Sequence, residues 1–136
     1  MINARTLTIV HWAARLIAAG ILVMGVIPKF TGNAGALAAK LPSGASTVLA
    51  IGLAESAAIV LILLPKTTLI GAGLASVIML GAVVSHLAGP VGMEGDFQGM
   101  FFMALGALSM SVLALIIAWR RRGSRPVAQP SGQTGP

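Results

Sequence analysis

The sequence predicts an all-α protein, an integral membrane four-helix bundle, and three observations carry that prediction. Of its 136 residues 57% are hydrophobic and only 9% charged. Its mean hydropathy is +0.95. Its apolar residues gather in four stretches, each long enough to cross a hydrocarbon core of roughly 30 Å at about 1.5 Å per residue. An ordinary soluble domain is about one quarter charged. So little polar surface cannot coat a particle of this size in water, which excludes a cytosolic enzyme. The pattern also argues against a β-barrel, because no stretch sustains period-two alternation and an open sheet cannot cross lipid with its edges unpaired.

The first expected span covers residues 7–27. At about twenty apolar residues it exceeds the usual signal-peptide core of about 7 to 15, and His11 and Arg15 interrupt it, so it reads as an uncleaved span. Residues 31–46 are too polar to cross, although Ala36, Leu37 and Leu41 suit a short helix lying on the outer surface. The second span covers 47–64, and Pro65 and Lys66 connect it tightly to the third, 67–87, as a transmembrane hairpin. The third carries Gly71, Gly73, Ala75, Gly81 and Ala82, a small-residue set that lets helices approach closely. A solvated loop holding Glu94 and Asp96 leads to the fourth span, 98–119. From Gly123 onward Gly, Ser, Pro and Gln leave nothing that could bury a core. Residues 1–122 therefore form one transmembrane domain and 123–136 a disordered cytoplasmic tail.

The net charge of +6 suggests nucleic acid only until the positions are read. Four of the nine basic residues, Arg120, Arg121, Arg122 and Arg125, directly follow the last span, where positive-inside anchoring and attraction to anionic lipid explain them. With four spans, that cluster lies on the same side as Arg5 and Lys66, opposite Lys29 and Lys40. Both termini are expected to be cytoplasmic. The aromatics agree, with Trp119 at the inner boundary and Phe30, Phe97, Phe101 and Phe102 at the outer one.

There is no cysteine, which removes disulfides, thiolate metal sites and any thiol relay run by this chain alone. No metal-ligand spacing, phosphate-binding glycine loop or Ser/His/Asp set stands out, so no metal is expected. Ionisable groups within a span are costly and become default site candidates. Arg15 lies eight residues from the inner end of the first span and Glu55 nine from the inner end of the second. Those depths, roughly 12 and 14 Å, would bring the two groups level on antiparallel neighbours. An Arg15–Glu55 pair is thus expected as the intramembrane polar site, either as a clasp that fixes helix register or as a functional centre. Lys29 and His86 share an outer depth and are the candidate outer-mouth binding residues. A haem ligated by His11 and His86 of one chain is excluded, since their depths differ by about 22 Å.

These residues also resemble the DoxX family of small four-span bacterial membrane proteins. The resemblance rests on Arg15 early in the first span and on Gly25-Val26-Ile27-Pro28-Lys29-Phe30 at its outer end. It continues with Gly52-Leu53-Ala54-Glu55 in the second span and His86-Leu87 at the end of the third. It implies a compact four-helix bundle in the bacterial cytoplasmic membrane, with Arg15, Lys29, Glu55 and His86 as its polar set. Some relatives look like small subunits of a thiosulfate to quinone oxidoreductase, and others associate with thiol-stress systems. Lacking cysteine, this chain differs from relatives that would act on thiols directly.

The leading expectation is an accessory or quinone-interacting subunit of a membrane redox assembly, with a redox partner subunit and no self-sufficient enzymatic activity. Two other classes stand beside it: a scaffold or assembly factor without catalysis, and a small proton-coupled transporter. Alternating access in four short spans would call for a homo-oligomer.

Overall fold

The computed structural model describes residues 3–123, and the expected tail beyond Gly123, with Arg125, lies outside them. The chain runs α1 (Ala4–Phe30), α2 (Gly35–Ala38), α3 (Ala45–Leu63), α4 (Thr68–Leu87) and α5 (Asp96–Gly123). Among the described residues there is no strand. Each of the four long helices is long and apolar enough to cross a membrane.

Short connections force an up-down-up-down order. Helix α1 packs on α3 and α5, and α4 packs on the same two, so the helices form a closed ring of antiparallel neighbours. The axis is lined by small side chains, among them Ala18, Ala58, Ala72, Ala75, Ala107 and Ala114, all fully buried. Large apolar side chains such as Leu16, Leu53, Ile70, Phe102 and Trp119 point outward instead. Small residues inside and large ones outside is how helices associate when burial against water is not the driving force.

The tightest approach is at the α3–α4 turn. A Cβ on Gly71 would collide with the backbone of Leu61 and Ile62, so only glycine lets the two helices meet there. The sequence had marked Gly71 for this role. Thr67 and Thr68 then bond back to the last turn of α3, Thr67 Oγ1 to the Leu61 carbonyl at 2.9 Å and Thr68 Oγ1 to that of Leu64 at 2.9 Å. Carbonyls at a helix C-terminus lack intrahelical donors, and these hydroxyls supply them.

At the opposite end the connections fold inward as a roof. The short helix expected around Ala36 and Leu37 is α2, and Leu37 is buried against Val48 and Val91, with Leu41 and Phe97 packed beside them. Lys40 stands over the Phe97 ring at 6.0 Å. The chain enters α3 through Ser43 and Gly44, both at positive φ, 59° and 53°. Glycine adopts that conformation freely, whereas Ser43 does so at some cost.

Candidate functional site

The polar residues foreseen from sequence separate into two groups, and the expected Arg15–Glu55 pair does not form. Arg15, only 2% exposed, donates from Nε to the Ile62 carbonyl at 2.7 Å and from Nη2 to that of Leu63 at 2.5 Å. Its guanidinium also lies over the Trp12 ring, 4.0 Å from the centroid. A cation at the C-terminal end of a helix meets the negative end of its dipole and the unpaired carbonyls together. Arg15 is therefore the clasp that fastens α1 to the end of α3. The nearby His11 is buried with Nδ1 unpartnered, and Arg121 Nη2 reaches from α5 to Thr8 Oγ1 at 2.8 Å.

Glu55 pairs with Lys29 instead. Lys29 Nζ donates to Glu55 Oε2 at 2.6 Å and to the Gly25 carbonyl at 2.9 Å, and the two side chains are 8% and 5% exposed. The correction has a simple geometric cause. The sequence argument set the inner ends of the first two spans level, but α1 begins at Ala4 and passes the α3–α4 turn by several residues. Arg15 thus faces the end of α3, and Glu55 falls level with the last two turns of α1, about 15 Å further along the axis.

Two motifs noticed separately in the sequence turn out to be the two halves of this contact. A Cβ at Gly52 would stand 3.3 Å from the Phe30 ring and 3.4 Å from Lys29 Cβ, so Gly52 clears the space into which the end of α1 packs. Glu55 is one turn further along α3 on the same face. Gly25, one turn before Lys29, offers its carbonyl to the folded-back ammonium. That small residues precede each charge by about one turn was the available signal for the pairing.

The Lys29–Glu55 pair forms part of the wall of a cavity of about 740 Å³ that occupies the half of the bundle beneath α2. All four long helices contribute. Its walls are largely apolar and include Met24, Met79, Met100 and Met103, none of which the sequence had singled out. Unbranched thioethers fill irregular space and adapt to different shapes. Asn33 and Asp96 stand at the outer rim, and Ser85 lies on the α4 side.

His86 also lines this cavity, as a buried wall residue more than an open mouth group. Its Nδ1 lies 2.7 Å from the Ala82 carbonyl, which can only accept, so Nδ1 is the donating nitrogen. Its Nε2 is sealed and unpartnered, and the ring leans on Phe101 with centroids 6.0 Å apart.

The cavity has the volume and composition of a small-molecule site, apolar with a few convergent polar groups. It is not enclosed on all sides. Met24 on α1 and Val77 on α4 line it and are yet 63% and 70% exposed on the outward faces of the bundle, so it reaches the surface that the helices present sideways. Comparisons with protein-family models, curated proteins and solved structures find no match for this chain.

Proposed function

We propose that the chain is a DoxX-like integral protein of the bacterial cytoplasmic membrane, an accessory subunit of a redox assembly that holds a quinone-class lipophile in its outer-half cavity. Arg5, Lys66, Arg120, Arg121 and Arg122 face the cytoplasm, and the α2 roof faces outward. The observation that carries this reading is the cavity itself. An apolar, methionine-rich chamber with one buried Lys29–Glu55 pair suits a ligand that is mostly hydrocarbon with a small polar head.

The fit to a quinone is chemical. Lys29 Nζ has three protons, of which two are engaged by Gly25 and Glu55, and the third can be donated to a ring oxygen. The methionines and Ile51 would hold the ring and the first part of its tail. A quinone bound there supplies two-electron, two-proton chemistry. With no cysteine of its own, the chain relies on a partner subunit for electron transfer beyond the ligand. Arg15 acts at a distance from this site, holding the helices that frame it.

The test is purification of the tagged protein from native membranes in mild detergent, with co-purifying proteins and extractable lipids measured by mass spectrometry. Quinone enriched over bulk lipid together with a stoichiometric redox protein is the expected result. Bulk lipid alone, with the chain by itself or as its own oligomer, would overturn the reading and favour transport assays in liposomes.

A further inference from the structure

Resting on that cavity reading, we infer that the site selects a hydroxyl-bearing head, and so favours the reduced, hydroquinone form of its ligand over the carbonyl form. The selecting atom is Glu55 Oε1.

Among the described residues only Oε2 of this carboxylate is hydrogen-bonded, to Lys29. Oε1 has no partner there, and it is not one of the sealed side-chain atoms that lack a partner, which are His11 Nδ1, His86 Nε2 and Ser111 Oγ, so it is not itself sealed. Since Glu55 is 4% exposed and lines the cavity, the direction left open to Oε1 is the cavity. The chamber wall therefore presents, side by side, one carboxylate oxygen that can only accept and one ammonium N–H that can only donate.

A hydroxyl group satisfies both, donating to Glu55 Oε1 and accepting from Lys29 Nζ. A carbonyl or ether oxygen satisfies only the lysine and sets its lone pairs against those of Oε1. A buried polar group left unpaired by the wrong ligand discriminates more strongly than any apolar contact can. The route of entry agrees with a membrane-dissolved ligand. The cavity reaches the sideways surface at Met24 and Val77, which lie on the helix faces turned toward lipid in the proposed topology.

The experiment compares para-nonylphenol with its O-methyl ether, a pair matched in length and differing in the O–H, by equilibrium partition into lipid nanodiscs with and without the full chain. Three proteins are measured: wild type, the charge-neutral double variant Lys29→Met/Glu55→Leu, which has neither the acceptor nor the donor, and Ala82→Phe, which narrows the cavity. The expected result is that the phenol binds wild type about tenfold or more tightly than the ether. The double variant should lose that preference while still binding both, and Ala82→Phe should bind both more weakly than wild type. Equal binding of phenol and ether to wild type, weakened for both by Ala82→Phe, would overturn the hydroxyl selection and leave the cavity reading standing. A preference that persists in the double variant would overturn the assignment to Glu55. Binding of neither compound to wild type would overturn both readings. Should the double variant fail to fold, isotope-edited infrared spectra of glutamate-labelled wild type provide the second readout. The phenol should shift a carboxylate stretch that the ether leaves in place, and identical spectra with the two compounds would overturn the proposal.

Discussion

The two halves of the bundle, one at the α3–α4 turn and one beneath α2, use their polar groups in opposite ways. In the half at the α3–α4 turn Arg15, Thr67 and Thr68 are turned onto the carbonyls of residues 61–64, and Gly71 brings two backbones into contact. The half beneath α2 keeps its helices apart around a cavity and puts a buried ion pair in the wall with hydrogen-bonding capacity left over. Polar groups that close on the protein's own backbone build structure, while groups that converge on a cavity without being exhausted are available to a ligand. Arg15 and Glu55 lie within helices of similar hydropathy, and only this distinction tells their roles apart.

Several substitutions would break or sharpen that contrast. The largest effect is expected from Lys29→Met alone, which leaves the Glu55 carboxylate buried without its partner and should cost about 3 to 5 kcal/mol, with most of the loss recovered in the Lys29→Met/Glu55→Gln double variant. Thermal unfolding of the detergent-solubilised protein measures both, and a double variant as unstable as the single one would mean that the pair is a framework element like Arg15.

Next comes Gly71→Ala, whose methyl would meet the backbone of Leu61 and Ile62 and should destabilise by about 3 kcal/mol. The same assay reads it, and a melting temperature equal to that of wild type would show that the close α3–α4 approach is dispensable. Replacing Arg15 by Met should cost about 2 kcal/mol by leaving the Leu63 carbonyl without its donor and that of Ile62 with only the longer bond from Thr68. Ligand partition into the folded fraction should be unchanged, which separates the clasp from the cavity. A selective loss of ligand binding at full stability would reverse that assignment. The smallest effect, and of opposite sign, is expected for Gly20→Ala. Nothing stands within 4 Å of its added Cβ in the middle of α1, so about 0.5 to 1 kcal/mol should be gained in the same unfolding measurement.

Much of the framework was legible before any coordinates. The helices follow from hydropathy and length, the α3–α4 hairpin from Pro65 and Lys66, and the close approach from Gly71. The four polar residues of interest could be named because charge inside an apolar stretch is conspicuous. Their partners could not. The methionines of the cavity were illegible for a different reason, since an apolar residue facing a void and one facing a neighbour have the same local pattern.

By itself the sequence determined the number and order of the long helices and which stretches are apolar enough to cross a membrane, because these are sums over local residues, but not where each helix begins and ends. The tertiary structure alone decided that Glu55 meets Lys29 and that Arg15 caps α3. Such a pairing depends on the axial register of two helices to within one turn, about 5.4 Å. That register is set where helices begin and where glycines such as Gly52 and Gly71 let them touch, which no single stretch of chain encodes.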